Sequence, residues 1–430
     1  IFSEYGLMKY RVYVETQWLK FLVSELALDA MDAAALETID GIYLAFDPES
    51  AGMVKAIEKE TNHDVKAVEY FIKQRLAAAG LAHLQEWVHF AATSDDINNT
   101  AYALMIRDGR GQITAEMNAV LAKLEELALK YKRLPMMSRT HGQPATPTTV
   151  GKEFINFAWR LREEIRHLSS LPIQAKINGA SGNYNAHHFV FPNVDWLEAG
   201  SRFLSGYLGV SPLLYTTQVN PNNYLAAILH AMIRAAAVLI DLDRDMWGYI
   251  SLGYFKQKVK DEEVGSSTMP HKVNPIDFEN SEGNLGLGTS MMEHMAVKLM
   301  ISRFQRDLSD STVLRNLGVV FGYMTVGLRG TLKGLSKIEV DEGVIVADLE
   351  ANPELLAEPV QSVMRVFKEA QPYEKLKTLT RGKRITKAVL DDFVNGLEAV
   401  SGEMKQRLQA LSVSSYTGLA ELIVDRYFQE

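Results

Sequence analysis

Eleven consecutive residues, Gly265-Ser266-Ser267-Thr268-Met269-Pro270-His271-Lys272-Val273-Asn274-Pro275, concentrate unusual chemistry in this 430-residue chain. Hydroxyls, an imidazole, an ammonium and an amide sit around two prolines, with long apolar periodic segments on either side. Buried polar groups need partners and proline interrupts the backbone ladder, so the stretch reads as a loop. Its Ser hydroxyls, Lys272 and Asn274 could hold a carboxylate and stabilise added charge on it. Proton abstraction beside a carboxylate demands such donors, because its product is an aci-carboxylate dianion. The structural alternative is a solvated connector whose Ser and Asn only shape turns.

Four other segments hold polar residues at suggestive spacing. Ser138-Arg139-Thr140-His141-Gly142-Gln143-Pro144-Ala145-Thr146-Pro147 places a His among hydroxyls just before a long helix. Such a His can serve as a general acid or base near neutral pH, or simply cap the helix. Thr93-Ser94-Asp95-Asp96-Ile97-Asn98-Asn99 is first of all a capping signature, although amides at a helix start also bind anions. In Asn62-His63-Asp64-Val65-Lys66-Ala67-Val68-Glu69, His63 and Lys66 share a helix face that suits an anion, or Lys66 pairs with Glu69. Arg303, Arg306 and Arg315, with Ser309, Ser311 and Thr312 among them, could form a phosphate site or pair with Asp307 and Asp310.

Other chemistries are excluded or lack support. There is no cysteine, hence no disulfide, thiolate nucleophile or Cys-based metal site. His187-His188 has no carboxylate partner at ligand spacing, and no metal site is expected. Gly283-Asn284-Leu285-Gly286-Leu287-Gly288 follows no strand and reads as close helix packing rather than a phosphate loop. The net charge of −8 argues against nucleic-acid and membrane-surface roles. The longest apolar run, Leu225 to Ile240, is broken by His230 and Arg234, so no membrane span is expected. No signal peptide opens the chain, and a cytoplasmic location is expected.

These residues need a frame, and the periodicity describes a helical one. Apolar residues recur three and four apart at Leu7, Tyr10, Val14, Trp18 and Leu22. Longer stripes run through Met117–Tyr131, Val150–Leu168, Leu225–Leu239, Leu285–Leu299 and Leu317–Leu335. Asn220-Pro221 predicts the start of the third of these. Helices of roughly 20–30 residues exceed the usual 11–12 and predict an elongated bundle. The fold expected is all-α, with three helical domains at 1–92, 93–335 and 336–430. Ala-, Gly- and Met-rich helices that are apolar over a broad arc predict burial against partner subunits.

The segments together resemble the fumarase/aspartase superfamily of carbon–heteroatom lyases. Its signature G-S-S-x-M-P-x-K-x-N is matched without a gap from Gly265 to Asn274. Pro270-His271-Lys272 is similar to the adenylosuccinate lyases and to the carboxymuconate cycloisomerases. T-N-H-D-V-K-A-V-E at 61–69, T-S-D-D-I-N-N at 93–99 and R-T-H-G-Q-P-A-T-P at 139–147 favour the first family, in its bacterial form. The resemblance runs over essentially the whole chain. It implies an all-α homotetramer with each active site built from three subunits, and no metal or redox cofactor.

By the same resemblance, Ser266 would be the catalytic base and His141 the general acid. Lys272 and Asn274 would stabilise the aci-carboxylate, and Thr93, Ser94, Thr140 and Gln218 would hold the substrate's carboxylates. Asn62, His63 and Asp64 would line a nucleotide site, and Arg306, Ser311 and Arg315 would grip its phosphate. Ser267 and Asn280 complete the expected substrate-binding set. The family carries an Arg-Tyr pair near its N-terminus that helps bind phosphate, and a segment ahead of Ile1 is expected to supply it. The competing readings are a carboxymuconate cycloisomerase, which would have no use for the arginines after 303, and a non-catalytic structural protein on a lyase scaffold.

Overall fold

The computed structural model describes residues 1–29, 31–258, 273–380 and 385–430, apart from the side chains of 378–380. The chain folds as two compact units, each assembled from three stretches. One comprises Ile1–Glu116, Glu164–Ala236 and Asn284–Val326; the other comprises Met117–Glu163, Ala237–Gly283 and Gly327–Glu430. Five long helices contribute to both: Ser94–Lys130, Val150–Ser170, Asn223–Ser251, Ile276–Lys298 and Leu317–Ser336. The expected helical stripes fall on them. The predicted helix over 117–131 proves to be the second half of one 37-residue helix that starts at Ser94.

In the first unit, local signals set the helix ends. Ser3 accepts from the Gly6 amide at the start of Glu4–Lys20. Asp47 caps Pro48–Thr61, with Pro48 at the first helical position, where its missing N–H costs nothing. That helix stops at Asn62, whose φ of 52° is left-handed, a conformation asparagine tolerates well. His63 then caps Asp64–Ala78 by accepting the Lys66 amide at its Nδ1. Met8, Val12, Leu19, Ile39, Phe71, Ile72 and Leu84 close a core among these helices. Asn220-Pro221 does not open a helix as predicted. Asn220 spends its side chain on the Asn222 amide, Asn222 turns left-handed at φ 56°, and the helix begins at Asn223.

The helix Asn223–Ser251 is long and apolar enough to cross a membrane by composition. The protein itself buries 61% of its most apolar window, as for a core helix. Of the three glycines read as close packing, only Gly288 meets a neighbour, the Tyr323 Cβ; Gly283 and Gly286 face open space among the described residues.

In the second unit, Leu349, Leu356, Val360, Met364, Leu390 and Val394 pack with Met137 into a separate core. Helices dominate, but short strands add to the all-α expectation. Pro135–Thr140 and Gln143–Thr149 form an antiparallel hairpin, paired from Pro135–Thr149 to Thr140–Gln143 with a one-residue register shift between Met137 and Ser138. Phe255–Gln257 pairs with Ile338–Val340. Within the first unit, Gln174–Ala175 pairs in parallel with Ser211–Pro212.

Candidate active site

The first unit contains a cleft of about 1000 Å³. Its lining brings together Asn62, His63, Asp64, Arg306, Ser311 and Arg315, which are far apart in sequence. Arg11, Lys59, Asp95, Asn98 and Tyr102 join them. Two of the cations are available to an anion. No carboxylate lies within ion-pairing distance of Arg315 or Lys59 among the described residues. Among the described residues Arg306 has only a neutral partner, donating from Nη1 to Gln218 Oε1 at 2.9 Å. Arg303 is committed elsewhere, to Asp307 at 3.2 Å. Lys66 is likewise engaged with Glu69, at 2.8 Å, so the paired alternative holds for that lysine.

Gln218 reaches the cleft through Arg306 and is itself firmly placed. Its Nε2 donates to the Ala180 carbonyl, and its own carbonyl accepts from Lys176 Nζ at 2.7 Å. Lys176 is fully buried and pairs at 2.8 Å with the fully buried Asp96. Asp96 in turn accepts the amides of Thr93, Asn178 and Gly179. One ion pair thus fixes both the Thr93-Ser94 turn and the Gln218 backbone. Thr93 and Ser94 open their helix and do not line the cleft, whereas Asp95 does. Asp95 is 7% exposed, and burial pushes its carboxyl up to about 6.

The second unit carries the imidazole. His141 and Gly142 are the two tip residues of the 135–149 hairpin, with φ of 55° and 73°. Positive φ at both central positions is the tight turn whose twist matches paired strands. His141 and Thr140 are both exposed there. The strands are held in place: Arg139 donates to Asp348 at 2.7 Å, and Thr146 donates to Glu358 at 2.7 Å. Asn274 lies two residues before the helix Ile276–Lys298, and Asn280 is exposed on that helix. Ser266, Ser267 and Lys272 lie outside the described residues. Among the described residues, no three His, Asp or Glu side chains gather in a way that could hold a metal ion.

Several residues were passed over in the sequence. Arg11 breaks the apolar stripe of the first helix, a signal that could have flagged it. Lys176 gave no signal. His89 was hidden as well: its ring stands 2.6 Å from the buried Glu15 carboxylate, which outweighs burial and raises its pKa.

A helical scaffold, a cleft with cations free to meet an anion and an exposed imidazole describe a class, and comparison with known proteins names it. Residues 1–287 match the lyase family model, and residues 302–417 match the adenylosuccinate lyase C-terminal model. Two solved structures share the fold at 20% identity. The 3-carboxy-cis,cis-muconate lactonizing enzyme of Pseudomonas putida superposes with a TM-score of 0.78, covering 100% of this chain and 95% of that one. A fumarate lyase from Mesorhizobium sp. BNC1 gives 0.76, with 100% and 96% covered. The class is therefore that of the fumarase/aspartase lyases.

The sequence relatives are more specific. Adenylosuccinate lyases of Vibrio cholerae, Escherichia coli and Haemophilus influenzae are 50%, 49% and 48% identical, each over 99% of this chain and 94% of theirs. The chain belongs to the adenylosuccinate lyase family.

Proposed function

We propose that the chain eliminates fumarate from adenylosuccinate to give AMP. The same cleavage would convert the succinyl-carboxamide ribotide SAICAR to AICAR, placing the enzyme in purine nucleotide biosynthesis. The observation that carries this reading is the cleft in which Arg306, Ser311 and Arg315 meet Asn62, His63 and Asp64. A nucleotide offers a phosphate to the cations and a nucleoside with donors and acceptors to the others.

In this mechanism Ser266 removes the β-proton of the succinyl group, and the electron pair moves into the adjoining carboxylate. The resulting aci-carboxylate dianion is stabilised by Lys272 and Asn274. It collapses by forming the C=C bond of fumarate and breaking the C–N bond, while His141 protonates the departing nitrogen. Thr93, Ser94, Thr140 and Gln218 hold the carboxylates, and Ser267 and Asn280 contribute to binding. A serine hydroxyl is a weak acid in water, so Ser266 needs desolvation and nearby donors to act as a base. The substrate's own carboxylate is the electron sink, so the reaction calls for no metal or redox cofactor.

A homotetramer belongs to the same reading. Trp159, Trp247, Leu287, Val297 and Val326 are exposed on the long helices, and Gly283 and Gly286 leave room for another backbone. Helices of identical subunits would cover them. The three helical domains 1–92, 93–335 and 336–430 and a cytoplasmic location complete the proposal.

Purified protein given adenylosuccinate should release fumarate and AMP in equal amounts, followed by the loss of absorbance of the succinylated purine. Replacing Ser266 with Ala should lower kcat by about 10²–10⁴, the usual range for removal of an acid–base group, with the melting temperature nearly unchanged. An inert wild-type enzyme would sink the proposal.

A further inference from the structure

We propose that Arg11 is a positioning residue for the ligand-binding turn 62–64: it fixes the Asp64 carboxylate as an acceptor facing the cleft. The inference rests on the nucleotide reading given above and deepens it. Arg11 is 6% exposed, buried on Glu4–Lys20 together with Met8, Val12 and, one turn on, Glu15. Its Nη2 donates to Asp64 Oδ2 at 2.7 Å and its Nε to Asn98 Oδ1 at 2.8 Å. Among the described residues these are its only side-chain hydrogen bonds, and both partners line the cleft. A single guanidinium therefore ties the first helix to the turn at 62–64 and to the start of Ser94–Lys130.

A merely structural arginine is a poor explanation. Only the guanidinium is buried, while the Asp64 side chain keeps 41% of its surface exposed, so the pair contributes little to stability compared with a well-packed apolar side chain in place of Arg11. What the pair supplies is direction. Asp64 accepts the Val65 amide at Oδ1 and Arg11 at Oδ2, so both oxygens are pinned. Burial alone would raise the Asp64 pKa, but Arg11 and the Val65 amide outweigh it and hold the carboxyl below its ordinary value. An ionised carboxylate can only accept hydrogen bonds. It cannot serve the phosphate, and the remaining lone pairs are fit for hydroxyl or amine donors of the nucleoside. The cations at 306 and 315 are left for the anionic end.

Arg11→Met, Arg11→Lys and Asn98→Ala test this, each with thermal melting as a check on folding. Arg11→Met should raise both KM for adenylosuccinate and the calorimetric Kd for AMP by about tenfold to a hundredfold, the loss expected for a charge-assisted contact. Its kcat should fall by less than KM rises. The acid limb of kcat/KM should move to higher pH as Asp64 loses its cation. Arg11→Lys should restore the acid limb but only part of the affinity, and Asn98→Ala should leave the limb in place.

A folded Arg11→Met with unchanged AMP affinity and an unchanged pH profile would overturn the inference. Should Arg11→Met not fold, a wild-type profile and affinity in Arg11→Lys together with unaltered AMP binding in Asn98→Ala would do so. If the wild type binds AMP but does not turn over adenylosuccinate, the functional reading fails while AMP binding still judges Arg11. Absence of AMP binding by the wild type rejects both.

Discussion

Two aspartates are shut away from water, one in each unit, and they are held by opposite means. Asp96 is 0% exposed and meets the Lys176 ammonium at 2.8 Å along with three backbone amides. Asp243 is 1% exposed, and among the described residues only hydroxyls keep it company. Thr331 donates to it at 2.9 Å, and Ser281 stands 2.9 Å from Thr331. No cation pairs with Asp243 among the described residues, and burial pushes its carboxyl up to about 7. The contrast follows from surroundings. Asp96 sits where loops converge, and their unpaired amides favour an anion. Asp243 lies on a helix packed among apolar side chains, where a proton is the cheaper way to remove the charge.

The sharpest way to break this comparison is Lys176→Met, which strands Asp96 in the interior. The expected loss is about 3–5 kcal/mol, read by denaturant unfolding, and adding Asp96→Asn should recover part of it. Intact stability in the single variant would mean that the amides alone hold Asp96.

A third buried group asks whether apolar surroundings generally enforce neutrality. His187 is 1% exposed, its ring is edged by Trp18, Phe90, Tyr184 and Trp196, and neither ring nitrogen has a partner among the described residues. Burial pushes its pKa down to about 4. The unfolded chain then binds a proton that the native ring refuses, so stability should fall as pH drops from about 6.5 toward 4. His187→Phe should remove that part of the slope, on the order of 3 kcal/mol, in melting curves across this range.

The smallest change at a single pH belongs to the substitution of Asp243. Its raised pKa makes stability decline as pH rises from about 4 to about 7, the opposite sign to His187. Asp243→Asn should flatten that decline and change stability at pH 5 by less than about 1 kcal/mol, because one neutral acceptor replaces another. A large loss at pH 5 would show that the carboxylate is charged.

The long helices were legible because their large apolar residues recur with the helical period from Val150 to Leu168 and from Leu317 to Leu335. The hairpin at 135–149 was not, since Pro144 and Pro147 argue against a strand. A two-stranded ribbon consists only of edges, where proline is tolerated. The motif residues of the proposed site could be listed from the sequence, whereas the residues that hold them could not. Arg11 finds its partners 53 and 87 positions away. Lys176 looks like any solvated lysine until folding brings Asp96 beside it.

The left-handed backbone at His141 has a consequence for any experiment on the proposed acid. Position 141 answers to two independent demands, an imidazole for proton transfer and a residue that tolerates φ of 55° for the turn. Alanine fails both, so activity lost in His141→Ala would mix a missing proton donor with a distorted ribbon. Asparagine accepts the left-handed region far better, and it isolates the chemistry from the geometry.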